Sequence, residues 1–237
     1  MNPIRRVLAP VLFLLAAACS STNAPMIEQV QEPEMRMELN HLKWQDQVSA
    51  DHFSAVSITD AGEVVLPRTP MSILADGDAV GLEKYQVSFW AEADEDETVK
   101  IYYASGLGYE HAFLEFRLDD ESLYKRPDGS LIDDHDQVLI TITIDPENLA
   151  VHLEPSGLQF RASEPASLKV WYDHANPDYN GDGVVDAADA AIEQSQFGMW
   201  VQQTANDPWY DVNAEQSLTS KWLRGYLQHF SGYAVSW

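Results

Sequence analysis

From residue 50 onward, apolar and polar side chains alternate one for one along most of the chain. Val138, Ile140, Ile142 and Ile144 fall on one side of a run whose other side carries Gln137, Thr141 and Thr143. Val87, Phe89 and Ala91 alternate with Gln86, Ser88 and Trp90, and Val99, Ile101 and Tyr103 with Thr98, Lys100 and Tyr102. Leu114, Phe116 and Leu118 face away from Glu115 and Arg117, and Leu168, Val170 and Tyr172 repeat the pattern. Successive side chains on an extended chain point to opposite faces, so this period of two buries one face of a sheet and wets the other. β-Branched and aromatic residues fill the runs, as a pleated, half-buried surface requires. Asp60-Ala-Gly62, Asp76-Gly-Asp78, Pro127-Asp-Gly129, Asp145-Pro146 and Pro155-Ser-Gly157 separate them as turns. The pattern predicts an all-β chain, an antiparallel β-sandwich or sandwiches. It divides into an N-terminal β region at 51–118 and a C-terminal β-sandwich at 119–237, with one continuous sandwich equally allowed.

The alternation breaks at residues 178–189, Asp-Tyr-Asn-Gly-Asp-Gly-Val-Val-Asp-Ala-Ala-Asp. Asp178, Asn180, Asp182, Asp186 and Asp189 stand at positions 1, 3, 5, 9 and 12 of a twelve-residue calcium loop, with Gly183 at position 6. Calcium takes six to eight oxygens, and carboxylates and carbonyls supply them. Gly183 permits the sharp turn, Val184 at position 7 offers its backbone carbonyl, and Asp186 acts directly or through a water. Two carboxylates ~5 Å apart at an effective dielectric of ~20 repel by ~3 kcal/mol, so such a loop tightens on a divalent cation. The bland alternative is a solvated acidic turn built from Asn, Gly and Asp. Helix formers from Ala187 to Gln196 predict one short helix leaving the loop, stopped by Gly198. The set Asp178, Asn180, Asp182, Gly183, Asp186 and Asp189, with Asp rather than Glu at position 12, resembles one dockerin calcium repeat. A dockerin carries two repeats and docks to a cohesin through both. A single copy implies metal binding, with Ca2+ as the cofactor, and not cohesin docking. The acidic clusters Asp94–Glu97 and Asp133-Asp134-His135-Asp136 lack this spacing and read as solvated turns or a weaker second ion site.

The formal net charge is −24. That excludes nucleic acid as a natural partner, since phosphate is neutralised by Lys and Arg, and favours divalent cations or cationic partners. The one cysteine, Cys19, cannot form a disulfide within the chain. It follows Arg5, Arg6 and an apolar run from Val7 to Ala18, so residues 1–18 read as a secretory signal peptide. Leu15-Ala-Ala-Ala-Cys19 resembles the bacterial lipoprotein box, which implies lipid attachment at Cys19 and a membrane partner through that anchor. Ordinary cleavage after the alanines is the alternative. Ser20 after the cysteine resembles the outer-membrane sorting pattern. Residues 19–50 read as a lipid-anchored linker, placing the folded part in the cell envelope.

The C-terminal half carries a further resemblance. Leu139 to Ile144 precedes Leu153-Glu-Pro-Ser-Gly-Leu158-Gln-Phe160, then Pro165 to Tyr172, Trp209 after a proline, and His229-Phe-Ser-Gly-Tyr-Ala-Val235. This is similar to the β-sandwich shared by zonula-occludens scaffolds, netrin receptors and ankyrins. It implies a scaffold or interaction role without catalytic residues and with an unknown protein partner.

Two further features bear on function. His229 and Ser231 lie two residues apart on one strand, without a Gly-x-Ser-x-Gly elbow, a spacing that reads as structural. Trp90, Trp171, Trp200, Trp209 and Trp222 read as core and edge residues, or as a platform for stacking sugars. The expected protein is a calcium-binding, non-enzymatic envelope lipoprotein acting as a surface scaffold or interaction module. The alternative is a carbohydrate-binding or cellulosome-like accessory module with a polysaccharide partner, and behind it an envelope hydrolase.

Overall fold

The computed structural model describes residues 34–49, 52–59, 62–66, 68–70, 85–104 and 110–237. The expected signal peptide at 1–18, Cys19, the turn at 76–78 and the linker up to residue 33 lie outside them. In chain order the strands are β1 (Met35–Arg36), β2 (Phe53–Thr59), β3 (Gly62–Leu66), β4 (Arg68–Pro70), β5 (Tyr85–Glu92), β6 (Glu97–Ala104), β7 (Glu110–Leu118) and β8 (Leu123–Lys125). They continue as β9 (Gln137–Ile144), β10 (Ala150–Glu154), β11 (Gln159–Phe160) and β12 (Ala166–Trp171). After helix α1 (Ala187–Gln196) come β13 (Gly198–Gln202), β14 (Trp209–Asp211), β15 (Glu215–Ser217), β16 (Trp222–Leu227) and β17 (Gly232–Ser236).

Two open antiparallel sheets hold nearly all of these strands. The first runs β1-β14-β13-β17-β10-β9-β5-β4, and the second β15-β16-β12-β7-β6-β2-β3; β8 and β11 form a separate pair. The alternation explains which face each strand buries. Ile140, Ile142 and Ile144 of β9 are fully enclosed, as are Val99 and Ile101 of β6 and Leu114 of β7. Phe89 of the first sheet meets Phe116 of the second with ring centroids 6.3 Å apart, and Phe116 lies 5.6 Å from Phe230. The all-β sandwich with one short helix after an inserted loop is what the sequence pattern predicts.

Both sheets cross the expected division at 118/119. β7 pairs with β12 across it in one sheet, and β5 pairs with β9 across it in the other. Residues from Pro33 to Trp237 make one compact unit. Period-two patterning tells which face of a strand is buried and is silent on which strand lies beside it, so it cannot locate a boundary.

The second half of the expected 19–50 linker is also part of the sandwich. β1 pairs with β14, and single bridges join His41 to Ser236, Lys43 to Asn148 and Trp44 to Ala175. Leu42 and Trp44 are buried, and the Trp44 indole packs on Phe53, Tyr103 and Phe113 while donating to the Asp145 carbonyl at 2.9 Å. This segment buries only Leu42, Trp44 and Val48 among 34–49, too few to set a period in sequence.

Candidate functional site

The loop at 178–189 sits in the passage from β12 in one sheet to β13 in the other. Its footing is aromatic. Tyr179, the second loop residue, lies edge-on to Phe197 at 4.7 Å and near Trp237 at 6.2 Å, and Phe197 in turn meets Tyr172 at 5.3 Å. Burial, with the Glu193 and Asp189 carboxylates nearby, pushes the Tyr179 phenol up to about 12. Helix α1 is pinned by an ion pair between Glu193 and Lys221, and Gln216 Nε2 donates to the Glu193 carbonyl at 3.0 Å.

Within the loop the side chains turn inward onto backbone N–H groups. Asp178 Oδ1 accepts from Gly181 and Asp182 N–H at 2.9 and 3.1 Å, and its Oδ2 from Gly183 N–H at 2.8 Å. Asn180 Oδ1 accepts from the same Asp182 N–H at 2.9 Å, and Asn180 Nδ2 donates to Asp182 Oδ2 at 3.1 Å. Asp182 Oδ1 accepts from Val184 N–H at 2.8 Å. Gly181 and Gly183 hold φ of +73° and +86°, a region that costs a side chain dearly, which is why this curl needs both glycines.

Asp189 fastens the two ends of the loop together. One oxygen accepts from Tyr179 N–H at 2.7 Å and Asn180 N–H at 3.2 Å, and the other from Asp186 N–H at 2.9 Å. The Asp186 bond, with those from Asn180 and Tyr179, holds the Asp189 carboxyl below the usual range. Asp186 itself caps α1, accepting from Ala188 N–H at 2.7 Å, and with Asp189 completes a capping box.

Hydrogen bonds therefore gather Asp178, Asn180, Asp182 and Asp189, while Asp186 is engaged with the helix. No three of Asp178, Asp182, Asp186 and Asp189 bring carboxylate oxygens within 4.8 Å of one another. The donor set is all oxygen and suits a hard cation, and Asp178 Oδ2, Asp182 Oδ1 and Asp189 Oδ2 each accept a single backbone bond and keep a lone pair beyond it. The residues fit calcium in kind. The observed loop is wider than a closed coordination sphere.

Among the described residues, the group that does converge is Glu92, Asp94 and His135, with one ligand atom from each mutually within 4.8 Å. It joins one residue from each of the two acidic clusters to the end of β5. His135 adopts φ +65°, its N–H donates to Asp94 Oδ1 at 3.1 Å, and Nδ1 lies 2.7 Å from Asp94 Oδ2. The Asp94 carboxylate raises the His135 imidazole above its ordinary value. Sequence spacing could not find this group, because residues 94 and 135 meet only through the β5–β9 register.

Two depressions adjoin, the smaller on the first sheet and the larger beside the β8–β11 pair. The larger, about 730 Å³, is lined by Tyr124, Gln159, Arg161, Gln228, His229 and Ser231 among others. Ser231 Oγ and His229 Nδ1 lie 3.1 Å apart there, so the two residues do meet. Ser231 is only 5% exposed, and no carboxylate lines that depression to orient the imidazole. The smaller, about 320 Å³, has Gln86, Thr143, His152 and Gln202 in its lining and shares Ser156, Gln203, Thr204 and Ser231 with the larger. Of the five tryptophans weighed as a sugar platform, Trp200 and Trp209 are buried in the first sheet and Trp90 is 61% exposed. Trp171 and Trp222 pair across β12 and β16, with the Lys169 ammonium 4.2 and 4.6 Å from their rings. Among the described residues, no helix is long and apolar enough to cross a membrane.

No protein-family model matches this chain, and neither a curated protein nor a solved structure matches it.

Proposed function

We propose that this chain is a calcium-stabilised β-sandwich of the bacterial envelope, anchored through a lipid on Cys19 and serving as a non-enzymatic binding module. The loop at 178–189 carries the reading. Its spacing is that of a calcium loop, its glycines hold the curl, its first and third side chains share the Asp182 N–H, and its twelfth fastens back onto the second and third residues. Asp178, Asn180, Asp182 and Asp189, with the Val184 carbonyl and Asp186, would hold the ion. Bound there, calcium supplies positive charge that offsets the repulsion among four carboxylates in a chain of net charge −24. The loop is joined to both sheets by β12 and β13, so closing it would stiffen the link between them. The likeness to the zonula-occludens, netrin-receptor and ankyrin sandwich agrees with an interaction role. Equilibrium dialysis with radioactive calcium tests the reading. One ion per chain is expected, and none in Asp178→Ala with Asp182→Ala; equal uptake by both proteins would overturn it.

One observation favours a second reading, an envelope hydrolase: the His229–Ser231 contact in the larger depression. Labelling by a fluorophosphonate, lost in Ser231→Ala, would support that reading. An unlabelled wild-type protein would leave the contact structural.

A further inference from the structure

On the outer face of the first sheet three β5–β9 rungs carry no charge, with Glu92 beyond one end and Glu154 of β10 opposite Thr141, in a chain whose acidic residues outnumber its basic ones 38 to 14. β5 and β9 present matched rungs there: Trp90 opposite Leu139, Ser88 opposite Thr141, and Gln86 opposite Thr143. Trp90 and Leu139 are exposed at 61% and 46%, and Ser88 and Thr141 hydroxyls bond each other at 2.9 Å. The rung at Gln86 and Thr143 enters the smaller depression, about 14 Å along the strand from Trp90 at ~3.4 Å per residue. From there Gln203 and Thr204 lead into the larger depression, where Gln159 and Gln228 continue the amide row. Gly232 borders the smaller depression against His152, where a Cβ would stand 3.0 Å from the imidazole.

We propose that this track binds a neutral polysaccharide chain. Amide side chains both donate and accept, as do hydroxyls, so a row of them matches the hydroxyl pattern of sugars. An exposed indole offers a flat apolar face for a sugar ring. A chain of sugars without charge meets no repulsion from the acidic remainder of the molecule, whereas a uronic-acid polymer would. The larger depression is lined by no carboxylate, and the smaller by one, Glu154. This assignment rests on reading the chain as a binding module and names its partner; it does not depend on the ion.

The test is isothermal titration of the full chain, in saturating calcium, with hexasaccharides of glucose (β-1,4 and α-1,4 linked), mannose and xylose. Hexagalacturonate and an uncharged hexapeptide serve as the contrasting ligands. At least one neutral hexasaccharide should bind with a blue shift of tryptophan emission. Affinity should fall tenfold or more in Trp90→Ala and in Gln203→Ala, both surface changes that leave melting unaltered. Repeating the titration on Asp178→Ala with Asp182→Ala separates the two readings, because sugar binding should survive loss of the ion. Silence toward every neutral sugar, binding unchanged in both surface variants, or preference for the galacturonate or the peptide would each overturn the proposal.

Discussion

Two buried carboxylates show how placement alone decides what an acidic side chain contributes. Asp189, 2% exposed, accepts three backbone N–H bonds, which favour its ionised form. Glu97, 6% exposed, has one partner of note, the Ser57 hydroxyl at 2.6 Å, and burial pushes its carboxyl above the ordinary value despite that bond. The signs are opposite. For Asp189 the folded value is depressed, so its contribution is present above the unfolded carboxylate range and is lost as pH falls through the folded value. For Glu97 the folded value is raised, so ionised Glu97 burdens the fold at neutral pH and the burden lifts on acidification. Glu97→Gln keeps an oxygen for Ser57 and removes the charge. It should melt higher than the parent at pH 7, with the gain shrinking as pH falls toward the carboxylate range. A gain that does not change with pH, or a loss at pH 7, would contradict this account of Glu97.

At the level of elements, helix α1 turns an unusual face to the sandwich: its buried residues are Asp189 and Glu193, both acidic. It is held by polar bonds where most surface helices are held by an apolar stripe. Glu193 is paired with Lys221, whose ammonium remains partly in water. Lys221→Met should destabilise by about 1–3 kcal/mol, the cost of leaving a buried polar group unpaired. Adding Glu193→Gln should recover most of it, and chemical denaturation of the single and double variants measures the difference. An equal loss in both would mean the ion pair is not what fixes the helix. The helix was legible in sequence from its run of helix formers and the Gly198 stop, because helix signals are local. Strand faces were legible for the same reason. Strand neighbours were not: β7 lies between β6 and β12, and nothing in the three sequences states it. The segment at 34–49 was missed because it contributes isolated bridges and single anchors such as Trp44, which leave no repeat to read. The meeting of Glu92, Asp94 and His135 and the amide track beyond Gln86 were hidden likewise, since both are built by register across strands.

For the whole molecule, the proposed ion would act on its charge. A chain at −24 stores self-repulsion that a compact fold concentrates, and the loop at 178–189 sets four of those charges within twelve residues. The structure shows the loop curled and hydrogen-bonded with its carboxylates still apart, the state from which a cation would draw them in. A ligand that binds only the folded state at 100 times its dissociation constant stabilises by about 2.7 kcal/mol. In a protein of this size each kcal/mol raises the midpoint by roughly 2–4 °C. The most direct test is differential scanning calorimetry of the parent and of Asp178→Ala with Asp182→Ala, each with chelator and with calcium in excess. The parent should melt roughly 5–10 °C higher in calcium by that arithmetic, and the variant at one temperature in both. A parent whose midpoint ignores calcium would contradict the account at its centre.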